Sequence, residues 1–141
     1  MIGFIVLAVV AISIVAVCSR IDNWSRDFTT NDAKLALDSL DPGLRIAPLS
    51  ESAEVVAQRI ETWAGEQSKW KVLERKSSDR GIHLHLTRTT MLFRFVDDIH
   101  VDLVRAGDGC RMEAESQSRV GKGDLGQNPR NLKELVSAVR S

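Results

Sequence analysis

Gly81-Ile82-His83-Leu84-His85-Leu86-Thr87 is the stretch on which the fold turns. Ile82, Leu84 and Leu86 alternate with His83, His85 and Thr87, a period of two that sends apolar side chains to one face and polar ones to the other. Such a run predicts a half-buried strand in a sheet with one wet face. The alternation recurs downstream, where Ile99, Val101 and Leu103 alternate with His100 and Asp102. It returns again with Met112, Ala114, Ser116 and Ser118 against Arg111, Glu113, Glu115 and Gln117. Trp70, Val72 and Leu73 suggest an earlier strand, and Met91 to Val96 reads as another strand or an irregular edge. Ser77-Ser78-Asp79-Arg80-Gly81 and Gly107-Asp108-Gly109 carry the residues of tight turns.

On either side of this block the period lengthens to that of a helix. Ser50 is a candidate cap for a helix running to about Ala64, with Ala53, Val56, Ile60 and Trp63 on one stripe and Gly65 at its end. Asn128 is a candidate N-cap with Pro129 at the first helical position, opening a closing helix with Leu132, Leu135, Val136 and Val139 on one face. The order helix, strands, helix predicts an α+β fold. The expected form is a two-layer domain, an antiparallel sheet of about four strands with two helices on one face, preceded by an N-terminal transmembrane helix. No internal repeat is present.

That leading helix rests on Ile2 to Cys18, which holds no charged residue and is interrupted only by Gly3 and Ser13. Seventeen helical residues reach about 25 Å against a hydrocarbon core of about 30 Å, a gap that Met1 and Ser19 narrow. Arg20, Trp24 and Arg26 follow as interfacial anchors. A cleavable signal peptide is less well matched, because no Lys or Arg precedes the apolar run. A lipoprotein signal acylated at Cys18 is poorly served by Val17 before it. The expected organisation is an anchor or signal at 1–19, a polar tether at 20–47 and the domain at 48–141. The lipid bilayer is the expected partner of residues 2–18, the protein a single-pass membrane protein, and the signal-like start favours an extracytoplasmic domain.

Charge narrows the function. All 19 bases and 19 acids lie beyond Cys18, so the rest of the chain is formally neutral and nucleic acid is not an expected partner. The charges are segregated: six acids against two bases from Asp97 to Gln117, then five bases against two acids from Arg119 to the end. Mutual satisfaction in the fold is the simplest account. Cys18 and Cys110 cannot staple the domain and identify no compartment.

The densest cluster of special residues is Ser118-Arg119-Val120-Gly121-Lys122-Gly123-Asp124-Leu125-Gly126-Gln127-Asn128-Pro129-Arg130. It contains a G-x-G-x-x-G between a strand and a helix, but the chain ends fifteen residues later. A dinucleotide site needs a following βαβ unit and a ribose-binding acid about twenty residues on, so that reading fails. A tight turn is the first account, with Asp124 bonding turn amides or Arg119. A ligand or partner site is the second: free N–H groups at the helix start, with Arg119, Lys122 and Arg130 nearby, suit a small anion. The pattern Ser-Arg-x-Gly-x-x-Asp-x-Gly-x-Asn, with Arg130 two residues on, resembles the signature closing the domain-of-unknown-function family 1499. Thr87 to Asp98, aromatic-rich and ending in Asp97-Asp98, resembles that family's second block, and the likeness runs from about Ala47 to the end. Two positions depart from it: Glu115 stands where many members carry Arg, and the family's amino-terminal cysteine segment has no counterpart. The resemblance implies a domain behind an export or membrane signal and brings no activity. Its signatures single out Asp97, Asp98, Arg119, Asp124 and Asn128, to which the turn adds Gly121, Gly126 and Arg130.

His83, His85 and His100 fall on the polar sides of their strands and with Asp102 would ligate a metal only if those strands are neighbours. Neither a metal nor a cofactor is expected. No hydroxyl or thiol has an evident base at recognisable spacing, and Asp97 and Asp98, adjacent in a strand, point to opposite faces. The expected function is therefore a membrane-anchored envelope protein with a non-catalytic binding or scaffolding domain, its partner a small anionic ligand or an envelope protein. The alternative is a small hydrolase or isomerase using Asp97 or Asp98 with Arg119 and Asp124.

Overall fold

The computed structural model describes residues 2–19, 29–91, 94–121 and 123–141. The anchors expected at Arg20, Trp24 and Arg26, and Lys122 of the closing signature, lie outside these residues. In chain order the elements are α1 (Ile2–Cys18), β1 (Asp32–Lys34), a 3-10 turn (Pro42–Leu44), α2 (Ala53–Glu66), β2 (Trp70–Ser78), β3 (Gly81–Thr89), β4 (Val96–Ala106), β5 (Gly109–Ser118) and α3 (Gln127–Arg140). The strands form one antiparallel sheet in the order β1-β5-β4-β3-β2. This is the expected α+β class, with five strands where about four were expected.

The period-two pattern builds the core directly. Ile82, Leu84 and Leu86 of β3 pair with Leu103, Val101 and Ile99 of β4, and all six are buried. Met112 and Ala114 extend that layer on β5. Val56 and Ile60 of α2 and Leu132, Leu135, Val136 and Val139 of α3 cover it. Both helices pack on this face and against each other. The opposite face carries His83, His85, His100, Asp98, Asp102, Glu113 and Glu115 and stays partly or fully exposed.

Two local expectations are corrected, and an open one is decided. The segment assigned to a polar tether is structured from Asp32: β1 pairs with β5, and Leu44 and Ile46 enter the core. A three-residue strand is too short to display a period, so composition alone hid it. The cap of α2 is Ser52 rather than Ser50, its hydroxyl accepting from the Val55 N–H, and the helix continues through Gly65 to Glu66. Of the two readings for Met91 to Val96, strand or irregular edge, the described residues before β4 take the irregular one, closed by the Thr90 N–H donating to the Phe95 carbonyl at 2.8 Å. The leading helix α1 is present but falls short of the expected span. It is helical and apolar all round, but among the described residues no helix is long and apolar enough to cross a membrane. At 17 residues it reaches about 25 Å, so the expected transmembrane helix is not supported.

Candidate functional site at the polar end of the sheet

Beyond Ile99 and Ala114 the core face continues, but its side chains turn polar. Strand register sets Trp70, Arg88, Asp97 and Ser118 in one row across β2, β3, β4 and β5. Period two fixes their side of the sheet: Asp97 shares the parity of Ile99, and Ser116 and Ser118 that of Ala114. α3 crosses this end and presents Asn128 and Asn131, three apart and therefore on one face.

The resulting network is closed. Asp97, 1% exposed, accepts from the Ser118 hydroxyl at 2.6 Å and from Asn131 Nδ2 at 2.9 Å. Asn131 Nδ2 also donates to Ser116 Oγ at 3.1 Å, and Ser116 donates to Asn128 Oδ1 at 2.6 Å. Asn128 Nδ2 donates to Ser118 Oγ at 3.0 Å and to the Asn31 carbonyl at 2.7 Å. Gln127 Nε2 satisfies Asn131 Oδ1 at 2.7 Å. Burying this many polar atoms is tolerable because each finds a partner.

The closing turn lies over this network. Leu125 and Gly126 both take the left-handed backbone conformation, with φ of 52° and 74°, which glycine adopts without the penalty a Cβ brings. Asp124 then caps α3, its carboxylate accepting from the Gly126 N–H at 2.8 Å and the Asn128 N–H at 2.7 Å. Asn128 is thus not the N-cap; it lies inside the helix with its side chain in the core. Gly121 contributes its carbonyl to Asn31 Nδ2 at 3.0 Å, and Arg130 Nη2 donates to the Leu125 carbonyl at 2.9 Å. The Asp124 carboxylate thus places a negative charge at the start of α3, where the helix dipole favours one.

Asp98 lies on the other side of the sheet. It takes both prongs of Arg119, Nε at 2.6 Å and Nη2 at 2.7 Å, and contacts His85 Nε2 at 2.8 Å. The Arg119 hydrogen bonds lower its pKa to about 2, aided by His85 and opposed by desolvation. Asp97 and Asp124 therefore act on the core side, while Asp98 and Arg119 act on the wet side. β3 and β4 are neighbours, so the histidines do share a face: His85 sits opposite His100, their rings stacked at 4.4 Å, and His83 Nδ1 contacts Asp102 at 2.8 Å. Desolvation, then the charges of His85 and His83, push the His100 pKa down. Among the described residues no group of three or more His, Cys, Asp or Glu is arranged to hold a metal ion. Cys110 is buried and desolvation pushes its thiol pKa up, which opposes thiolate chemistry.

Against the polar end opens a cavity of about 470 Å³. The Asp97–Ser118 pair and the closing turn line one side, Arg88 and Glu134 another, and Met91, Phe95 and Val120 the apolar part. Arg88 Nη2 donates to Glu134 Oε1 at 2.9 Å, and Trp70 Nε1 to Glu134 Oε2 at 3.2 Å.

The family described as Protein of unknown function (DUF1499) matches residues 16–139. The chain belongs to this family. The match begins well before Ala47, in keeping with β1 and the Leu44–Ile46 segment being integral to the fold. No curated protein and no solved structure matches the chain. The signature residues Asp97, Asp124 and Asn128 thus meet around one buried network, and Arg130 ties the turn together, whereas Asp98 and Arg119 form a separate pair. Ser116, Ser118, Asn131, Arg88 and Glu134 complete the polar end without having been singled out. Parity would have found the serines and Arg88; only the docking of α3 reveals Asn131 and Glu134.

Proposed function

We propose that this protein is a bilayer-associated binding protein whose α+β domain holds a small ligand, without chemical turnover, in the cavity beside the closing turn. The observation that carries the reading is the cavity, about 470 Å³ with a hydrogen-bonded polar floor. Its size falls within the roughly 300–1,000 Å³ of small-molecule sites. Met91, Phe95 and Val120 line it while 78%, 45% and 60% exposed, an apolar surface that a ligand would cover. The hydrolase alternative gains nothing from the geometry: Asp97 has both oxygens engaged, and Asp98 with Arg119 faces away from Asp124. α1 supports the bilayer part of the reading. It is apolar on every side, and Leu7 and Ile12 are 73% and 69% exposed; helices of this kind bury themselves in protein or lipid.

Vesicle flotation of the full chain tests the bilayer association. The parent is expected to float with phosphatidylcholine–phosphatidylglycerol vesicles and a Leu7→Lys/Val10→Lys variant to stay below, since each buried charge costs about 2.5 kcal/mol or more. Equal flotation of the two would remove α1 as the anchor. The cavity is tested by tryptophan fluorescence, since Trp70 hydrogen-bonds Glu134 of the cavity wall. Full chain in phosphatidylcholine nanodiscs is titrated with ten-carbon amphiphiles, beside Val120→Asp in the same discs to subtract partition into lipid. A response in the parent beyond that of Val120→Asp is expected; identical titrations for every amphiphile would end the binding reading.

A further inference from the structure

We infer that the wet face of the sheet carries a site for a divalent transition-metal ion such as Zn²⁺, held between His83 Nε2 and His100 Nδ1 with water completing the shell. The inference is independent of the cavity beside the closing turn, which lies on the other face. It begins with the state of His83, whose Nδ1 stands 2.8 Å from Asp102 Oδ1. An ionised carboxylate only accepts, so Nδ1 carries the proton and Nε2 is left with its lone pair. That nitrogen lies 3.5 Å from His100 Nδ1, which also offers a lone pair when the proton of its neutral ring sits on Nε2. The separation is long for a hydrogen bond between two nitrogens. It matches two ligands of one tetrahedral zinc ion, since Zn–N bonds of about 2.1 Å at the tetrahedral angle place the nitrogens about 3.4 Å apart. Asp102 behind His83 completes the carboxylate–histidine–metal order, in which the outer group fixes the tautomer and orients the ring.

The surrounding charges favour a cation. Strand register sets the histidines in two rows, Glu74-His85-His100-Glu115 and Lys76-His83-Asp102-Glu113. Glu74 pairs with Lys76, Glu115 with Lys34 and Glu113 with Arg111, at 2.8, 3.1 and 2.9 Å. Lys71 lies outside both rows, level with Thr87, and Arg119 is engaged by Asp98. Asp102 is the acid of these rows whose partner among the described residues is an imidazole and no Lys or Arg. A dication on the far side of His83 supplies the missing positive charge. His85 has another part: Asp98 holds its Nε2 and its ring stacks on His100 at 4.4 Å, so it braces that ring. Two imidazole ligands agree with the lack of a three-residue metal cluster among the described residues. His100 is exposed and lines an open cavity of about 450 Å³, which gives an ion and its waters access to the pair. Imidazole suits Zn²⁺, whereas Mg²⁺ prefers oxygen.

The test is a calorimetric titration of the full chain with ZnCl₂, in phosphatidylcholine nanodiscs free of histidine tags. One Zn²⁺ per chain is expected, and no binding of Mg²⁺ from MgCl₂. Asp102→Asn is expected to weaken Zn²⁺ binding about ten- to a hundredfold, the range for an outer-shell carboxylate, and His83→Gln and His100→Gln at least as much. His85→Phe, which keeps a ring on His100, is expected to bind like the parent. The two glutamine substitutions fall at solvent-accessible positions on different strands, so either one serves if the other does not fold. Absence of Zn²⁺ binding overturns the site, as does equal binding of Mg²⁺, which would assign the ion to carboxylates. Equal Zn²⁺ binding by the parent and the glutamine variants overturns it too, and marks the zinc as an adventitious ion only, held elsewhere on the chain. A loss in His85→Phe as large as that in His100→Gln overturns the two-ligand assignment. Parent-like binding by Asp102→Asn overturns the orienting role of Asp102.

Discussion

At Asp97 the carboxylate is 1% exposed and held by Ser118 and Asn131, whereas one residue later Asp98 faces the opposite side and pairs with Arg119 and His85. The difference follows from the pleat, since neighbouring strand residues alternate sides. Their substitutions should behave differently. Asp97→Ala is expected to cost about 3 kcal/mol in urea unfolding, because the Ser118 hydroxyl and an Asn131 donor would be left buried and unsatisfied. A cost near zero would mean that the network does not hold the fold. Asp98→Asn carries a pH signature instead. The folded pKa lies near 2, below the ordinary 3.8, so ionised Asp98 favours folding above about pH 4 and this contribution disappears as pH falls through 2. The stability gap between parent and Asp98→Asn should therefore be open at pH 7 and close between pH 4 and 2. A gap independent of pH over that window would show that the ion pair is not its source. That Asp97 and Asp98 diverge was legible in the sequence; that Asp97 would meet Asn131 of a distant helix was not.

The elements show the same division between local and distant causes. β3, β4 and β5 follow from alternation, and the apolar stripes of α2 and α3 from helical spacing, because burial against a single layer imposes the period. Their ends are less predictable, since several polar residues compete to cap. Ser50 and Ser52 both suit α2, and Asn128 has the right chemistry for α3, but Asp124 reaches the free amides from outside the helix and releases Asn128 to the core. The β5 edge gives an element-scale prediction. Leu49 forms an isolated bridge with Cys110, its N–H and carbonyl bonded at 2.8 and 3.0 Å, and this needs glycine at 109 because a Cβ there would lie 2.0 Å from the Leu49 carbonyl oxygen. Gly109→Ala should cost about 1–3 kcal/mol and speed amide exchange at Leu49 and Cys110 while leaving the β3–β4 amides protected. Unchanged exchange at Leu49 would mean that the edge does not depend on this close approach.

For the molecule as a whole, the sequence by itself determined the class: an α+β domain with one wet sheet face, an apolar leading helix, and a closing turn built from glycines and Asp124. These are consequences of short-range periodicity and local stereochemistry, which a linear string displays. The membership of β1 in the sheet, the burial of Leu44 and Ile46 and the row Trp70-Arg88-Asp97-Ser118 were decided only by the tertiary structure. A three-residue strand has no measurable period, and register is set by which turns close and which faces must be buried together. The same holds for the site. Chemistry of residue type marked Asp97, Asp98, Arg119, Asp124 and Asn128, but sequence proximity grouped Arg119 with Asp124, whereas the pleat and the docking of α3 put Arg119 with Asp98 and Asp124 with Asn128. Hydrogen bonds saturate at short range, so which donor satisfies which acceptor is settled by packing geometry, and packing geometry exists only once the helices have closed on the sheet.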